Sequence, residues 1–146
     1  MSPIIRNILA VILGAVGGGI VNMAIVMVGP MVIAPPAGVD MTTVEGLNAS
    51  MHLLGPQHFI SPFLAHAIGT LVGTLVAWLI AASYKQICAY IVGVLFLAGG
   101  ISAFFMIPAP AWFMVLDLVV AYIPMAWLAI VIGPMIGGGK PVAAAA

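Results

Sequence analysis

The chain has 146 residues, of which 65% are hydrophobic and 4% are charged, and its formal net charge is zero. Soluble globular domains carry about 25% charged residues, so this composition excludes that class and indicates a protein built for lipid. A chain without a basic stripe is not expected to bind nucleic acid. The lipid bilayer is the first partner that the sequence predicts.

Four apolar runs predict four membrane-spanning helices. Each is close to the ~20 residues that cross a bilayer, and none shows the alternation of barrel strands. We therefore predict an all-α, polytopic four-helix bundle, with one transmembrane domain over 1–136 and a flexible tail over 137–146. The predicted spans cover about residues 6–28, 61–82, 86–107 and 111–133.

Glycine and proline mark the expected helix ends. Gly29-Pro30 should end the first helix and Gly133-Pro134 the fourth, while Pro124 should bend the fourth or open a small polar gap in it. The first apolar run is longer than the ~7–15 residues of a signal-peptide core, so we expect it to remain as a helix.

The loop after the first helix is long and contains a helix-start pattern. Thr42 and Glu45 have capping-box spacing, and apolar residues then recur at helical intervals until Gly55-Pro56. We predict a short amphipathic helix over about 42–54, capped by Thr42 and lying on the outer membrane surface.

Small residues at four-residue spacing predict which helices approach most closely. Gly14 and Gly18 lie on one stripe of the first helix, and Gly69 and Gly73 lie on one stripe of the second. Such stripes allow close packing where lipid provides no hydrophobic drive, so these two helices should pack together. The third helix should add Gly93, Gly99 and Gly100.

Three polar residues inside the spans form the candidate site. Asn22, His66 and Asp117 each lie about five or six residues from the same end of their helices, which is roughly 8–9 Å at ~1.5 Å per residue. They should meet, with Asp117 bonded to His66 and Asn22 bridging. His58 and Tyr122 are the candidate entrance. The cluster is either a structural hydrogen-bond clasp or a path for protons or substrate.

Metal and cofactor motifs are weak or absent. The histidines and Asp117 offer suitable zinc ligands, but the spacing of the histidines is unlike that of known zinc signatures. The sequence also lacks phosphate-loop, serine-hydrolase and metalloprotease motifs, so we predict no metal and no cofactor. The low-ranking metal candidates are His52, His58, His66 and Asp117.

The three basic residues give a consistent orientation. Arg6, Lys85 and Lys140 fall on one side if both termini are cytoplasmic, as the positive-inside rule requires. The long loop, with Asp40 and Glu45, then lies outside.

Several segments resemble a group of small bacterial four-helix membrane proteins. The resemblance covers nearly the whole chain and implies a multi-pass protein of the bacterial inner membrane. The group has no assigned function, so no catalytic residue is implied. The segments are NM at 22–23, GP at 29–30, PPAGVD at 35–40, HAIGTLVG at 66–73, PAPAWF at 108–113, LDL at 116–118 and AYIPMAW at 121–127.

Three functions follow from the sequence, in order. The first is a non-enzymatic accessory or self-associating subunit, acting as a homo-oligomer or within a larger membrane complex. The second is a small proton-coupled transporter or permease that uses Asp117 and His66. The third is a membrane enzyme acting on a lipid or quinone. A packed clasp would favour the first, and an open cavity at the cluster would favour the others.

Overall fold

The computed structural model describes residues 1–107 and 109–137, and all regular structure in these ranges is helical. Four helical stretches are long and apolar enough to cross a membrane: Pro3–Val32, Pro56–Ile80, Lys85–Met106 and Ala111–Ile136. The predicted all-α fold of a multi-pass membrane protein is confirmed. The α-helices are α1 (Pro3–Val32), α2 (Val44–Ser50), α3 (Ile60–Ile80), α4 (Lys85–Met106), α5 (Ala111–Val120) and α6 (Ile123–Ile136).

Helix α3 is the centre of the bundle. It packs against α1, α4, α5 and α6, and its contact with α1 is the most extensive in the molecule. Its buried positions are small or hydroxyl-bearing for most of its length, which lets several neighbours approach one helix. In the last turn of α3 the larger Trp78 is also buried, against Ala89 of α4 and Ile130 of α6.

Four glycines form the seam between α1 and α3, as the sequence predicts. A Cβ on Gly14 would lie 2.5 Å from the Gly73 carbonyl oxygen, and one on Gly18 would lie 2.5 Å from the Gly69 carbonyl oxygen. The neighbouring atoms belong to the backbone and have little freedom to move. Only glycine therefore fits at Gly14 and Gly18.

The expected glycine contacts of α4 are partly wrong. Gly93 faces Ala126, and Gly100 faces the Tyr122 ring and hydroxyl. A Cβ on Gly99, however, would have no neighbour within 4 Å. Gly99 lies on the exposed side of α4 and makes no helix contact of this kind.

Two predicted helix ends are also wrong. Helix α1 continues through Pro30 to Val32, and α6 continues through Pro134 to Ile136. A proline removes one hydrogen bond four residues back without requiring the helix to stop. At 30 residues, α1 spans ~45 Å, which exceeds the ~30 Å hydrocarbon core.

The fourth span is broken rather than bent. Helix α5 ends at Val120, and α6 begins at Ile123 with Pro124 in its first turn. Proline suits that position because the first amides of a helix have no partner within it. Tyr122 lies in the break, where its φ of −117° and ψ of −79° depart from regular helix.

The two ends of the bundle differ in chemistry. The lysine end, where α3 turns into α4, carries Arg6 and Lys85. The Arg6 Nε donates to the Ile80 carbonyl at 2.7 Å, and the Asn7 side-chain oxygen accepts from the amides of Ala82 and Ser83. These bonds hold the start of α1 against the turn. The opposite end, where α1 finishes and α3 begins, is called the loop end.

The predicted loop helix is present but shorter, and its cap is different. Helix α2 covers Val44–Ser50 and is followed by a 3-10 turn at Met51–Leu53. The Thr43 hydroxyl, rather than that of Thr42, accepts from the Gly46 amide at 2.9 Å. The Thr42 hydroxyl instead donates to the Asp40 carboxylate at 2.6 Å.

Candidate functional site

Asp117 is fully buried within α5, where an ionised carboxylate requires partners. The first is His66 of α3, whose Nδ1 lies 2.9 Å from each carboxylate oxygen. With Asp117 ionised, Nδ1 carries the proton and donates to both oxygens. The two residues are 51 positions apart in the chain, so the bundle itself brings them together.

Tyr122 is the second partner of Asp117. Its hydroxyl donates to Oδ2 of Asp117 at 2.9 Å, and its ring stacks on the His66 imidazole with 5.8 Å between centroids. Tyr122 is 1% exposed, so it lies inside the cluster and not at an entrance as the sequence suggested. The three residues form the triad, the name used below for Asp117, His66 and Tyr122.

The space for the Tyr122 hydroxyl is made by a glycine. A Cβ on Gly100 of α4 would meet the hydroxyl oxygen and the ring carbon that carries it. The triad therefore depends on α3, α4 and the broken α5–α6 span together.

His66 links the triad to an open cleft. Its side chain is 20% exposed, whereas that of Asp117 is 0% exposed. The cleft has a volume of about 410 Å³ and lies between α1 and α4, with His66 and Tyr122 on its inner side. Its lining residues are Ala15, Asn22, His66, Leu95, Phe96, Gly99, Gly100, Ala103 and Tyr122.

Asn22 lies at the cleft but does not bridge the pair. It lines the same cleft as His66, and its backbone approaches Gly69 of α3. Within the described residues its side chain forms no hydrogen bond to His66 or Asp117, so the expected bridge is wrong. Tyr122 occupies the position of second partner to Asp117 instead.

The geometry gives His66 a defined chemical role. A carboxylate bonded to Nδ1 fixes the orientation of an imidazole and determines which ring nitrogen carries the proton in its neutral form. The opposite ring nitrogen, Nε2, has no hydrogen-bond partner among the residues that the structure describes. His66 can therefore exchange a proton through Nε2 while Asp117 balances its charge.

His58 belongs to a different part of the molecule. Its Nδ1 accepts from the Gly55 amide at 3.0 Å, which leaves Nε2 protonated to donate to the Ala34 carbonyl at 3.3 Å. It lines a separate small pocket with Met41 and Ser61, away from the triad. His58 therefore ties the loop to the start of α3 and is not an entrance to the cleft.

The low-ranking metal candidates do not assemble. Of His52, His58, His66 and Asp117, only His66 and Asp117 contact each other. Over residues 1–107 and 109–137, no three His, Cys, Asp or Glu side chains are grouped closely enough to hold a metal ion.

Sequence reasoning identified the His66–Asp117 pair but missed the role of Tyr122. In a regular helix, residues five apart point ~140° away from each other, so Asp117 and Tyr122 would lie on different faces. The break after Val120 removes this restriction. In the sequence, Pro124 indicated that the helix is irregular near this point, but it did not indicate that Tyr122 would turn towards Asp117.

Comparison of the chain with protein-family models, curated proteins and solved structures gives no match. The triad and the cleft are therefore the features of the molecule that bear on its function.

Proposed function

We propose that the protein is a small proton-coupled permease of the bacterial inner membrane, in which His66 and Asp117 together carry the proton. The observation behind this proposal is the position of His66, bonded to a fully buried carboxylate on one side and lining an open cleft on the other. Ionisable residues inside membranes are costly and commonly mark proton or substrate paths.

The triad supplies the coupling. When His66 is protonated, the charge of Asp117 lies against it and the pair is neutral overall. When His66 loses the proton through Nε2, Asp117 keeps its bonds from Nδ1 and from the Tyr122 hydroxyl. Because the two states differ by one charge beside the cleft, they favour different substrates or different protonation states of one substrate.

The open cleft supports the functions that need a small-molecule site. A dry, fully packed cluster would have favoured a structural accessory or self-associating subunit. The cleft of about 410 Å³ beside His66 is in the ~300–1,000 Å³ range of small-molecule sites, which favours a permease or a membrane enzyme, and the His66–Asp117 pair at its inner side supports the permease of these two. Association into a homo-oligomer is compatible with this function, because α1 buries few of its residues within one chain.

The orientation in this proposal follows the basic residues. Arg6 and Lys85 both lie at the lysine end, which supports a cytoplasmic location for this end and for the N-terminus under the positive-inside rule. The loop end, with α2 on the membrane surface, then faces outward, and the triad lies nearer the outer leaflet. Lys140 and the tail prediction for residues 138–146 lie outside the described residues.

The first test is Asp117→Asn in liposomes that contain a pH-sensitive dye. Asparagine keeps a carbonyl to accept from His66 Nδ1 but removes the charge that balances a protonated imidazole. We expect proton flux under an imposed pH gradient to fall by about a hundredfold or more, as when a proton-transfer group is lost. Thermal unfolding in detergent should show that the variant remains folded.

Ser102→Ala is the matched control for this test. Ser102 is also a polar residue within a span, but it is exposed, and its one hydrogen-bond partner within residues 1–107 and 109–137 is the Ala98 carbonyl of its own helix. Its removal should leave proton flux unchanged. Wild-type flux in Asp117→Asn would overturn the proposal.

A further inference from the structure

The cleft opens sideways, at the depth of the bilayer interior. Leu95 and Gly99 line it and are both on the exposed face of α4, one turn apart. Gly99 is seven residues from the end of α4 at Met106, or ~10 Å along the helix axis. Exposed surface at that depth of a spanning helix meets lipid, so the mouth of the cleft lies within the hydrocarbon region.

Gly99 lines this mouth and is not held there by a close helix contact. An added Cβ would have nothing within 4 Å, so the glycine is not required by packing against another helix. A glycine within an exposed part of a helix lowers helix stability relative to alanine. Access to the cleft provides a reason for glycine here.

The lining is mainly apolar, with polar groups from two helices. Leu95, Phe96 and Ala103 of α4 offer hydrocarbon contact. Asn22 of α1 provides an amide with both a donor and an acceptor, and His66 of α3 provides Nε2. A ligand that fits has a hydrocarbon body and a small head with two polar atoms.

We propose that the cleft binds an aliphatic carboxylic acid that enters from the bilayer between α1 and α4, with its carboxyl group between Asn22 and His66. The acid O–H donates to Nε2 of neutral His66, and the acid carbonyl accepts from the Asn22 amide. This inference rests on the proposed permease function and names its substrate class.

Transfer of a proton from the bound acid to His66 leaves the total charge of the site unchanged. The acid O–H bond breaks, its electron pair stays on the carboxylate oxygen, and the proton forms a new bond to Nε2. The resulting carboxylate faces an imidazolium that Asp117 supports from the other side. Ligand and protein exchange one proton, and no other reactant is needed.

The test uses full-length protein in lipid nanodiscs and a dodecanoic acid that carries a photoreactive diazirine. After illumination, labelled residues are identified by mass spectrometry. We expect label on α1 and α4 at the cleft, displaced by dodecanoic acid but at least about tenfold less well by methyl dodecanoate, which cannot donate a proton. A tenfold difference corresponds to about 1.4 kcal/mol.

Two glycine variants provide the structural control. Gly99→Leu places a side chain in the mouth of the cleft. Gly17→Leu adds the same side chain on α1, at a position that does not line the cleft. At both positions an added Cβ would have no neighbour within 4 Å. Labelling at the cleft should fall about tenfold in Gly99→Leu and stay unchanged in Gly17→Leu. Both variants should unfold at or above the wild-type temperature.

The outcomes separate this inference from the proposed function. Equal displacement by acid and ester, or equal labelling of the two leucine variants, would overturn the carboxylic acid site and show only lipid contact, whatever the proton flux of Asp117→Asn. Labelling at the cleft that dodecanoic acid displaces, together with wild-type proton flux in Asp117→Asn, would instead support the carboxylic acid site and refute the proton-coupled permease.

Discussion

At the scale of single residues, the buried carboxylate of Asp117 determines what its surroundings must contain. Two donors, His66 Nδ1 and the Tyr122 hydroxyl, satisfy its oxygens within a span where water is scarce. Loss of one partner of a buried charge costs about 3–5 kcal/mol, because the other is left unpaired. Small changes near these donors should therefore have large effects.

Gly100→Ala should destabilise the protein by about 1–3 kcal/mol. The added methyl group meets the Tyr122 hydroxyl and must displace it from Asp117, as overpacking does in other tight cores. Thermal unfolding in mild detergent measures the effect.

The adjacent Gly99→Ala is the control for this prediction, because its methyl group has no neighbour within 4 Å. It should match or exceed wild-type stability. If both alanine variants unfolded at the wild-type temperature, Gly100 would not be making room for Tyr122.

At the scale of elements, the loop segment before α3 is organised by one charged residue. The Asp40 carboxylate accepts from the hydroxyl and amide of Thr42 and from the hydroxyl of Thr43. These bonds, the Thr42 hydroxyl first, lower the pKa of Asp40 below its ordinary value. The resulting stabilisation is complete above the unfolded-state pKa and is lost as pH falls through the lowered one.

Thr43→Ala should loosen α2 by about 0.5–2 kcal/mol, the usual effect of losing an N-cap hydroxyl. The Gly46 amide loses its acceptor and should exchange its hydrogen faster. Hydrogen exchange followed by mass spectrometry measures this over residues 44–50.

Thr42→Ala provides the comparison within the same segment. Its backbone amide still bonds to Asp40, and the Thr43 cap is untouched, so the Gly46 amide should stay nearly as protected as in the wild type. Faster exchange in Thr42→Ala than in Thr43→Ala would show that Thr42, and not Thr43, caps the helix.

At the scale of the whole molecule, α3 holds the other spans in position. The α1–α3 seam lies on one side of it, and the triad lies on another. The cleft forms because α1 and α4 both pack on α3, with the Phe96 ring of α4 close to Gly18. The relative position of α1 thus determines the width of the site.

Gly18→Ala should push α1 away from α3 and lower stability by about 1–3 kcal/mol. Its methyl group would meet the Gly69 carbonyl oxygen and the Gly73 Cα, and backbone atoms cannot rotate aside. Unfolding by titration with sodium dodecyl sulfate measures the loss.

Gly17→Ala adds the same methyl group next door, where it meets nothing within 4 Å. This variant should unfold at the wild-type detergent fraction. An equal loss in both would mean that the cost comes from the helix and not from the seam.

Composition and residue spacing were enough to locate the spans and the α1–α3 packing faces. Apolar runs between rare charges located the four spans, because hydrocarbon excludes charge and forces helical hydrogen bonding. Four-residue spacing identified Gly14, Gly18, Gly69 and Gly73, and equal depth predicted that His66 would meet Asp117. These properties follow from the local order of residues and from the regular geometry of a helix.

The surroundings of the His66–Asp117 pair depend on how the helices are packed and could not be read from residue spacing. Proline positions suggested helix ends at Pro30 and Pro134, but α1 and α6 both continue for two residues beyond these prolines. The break after Val120 turned Tyr122 towards Asp117, whereas depth alone placed Asn22 there. Depth fixes one coordinate of a side chain. Its direction depends on how each helix is rotated and interrupted, and this is set by packing among all four spans.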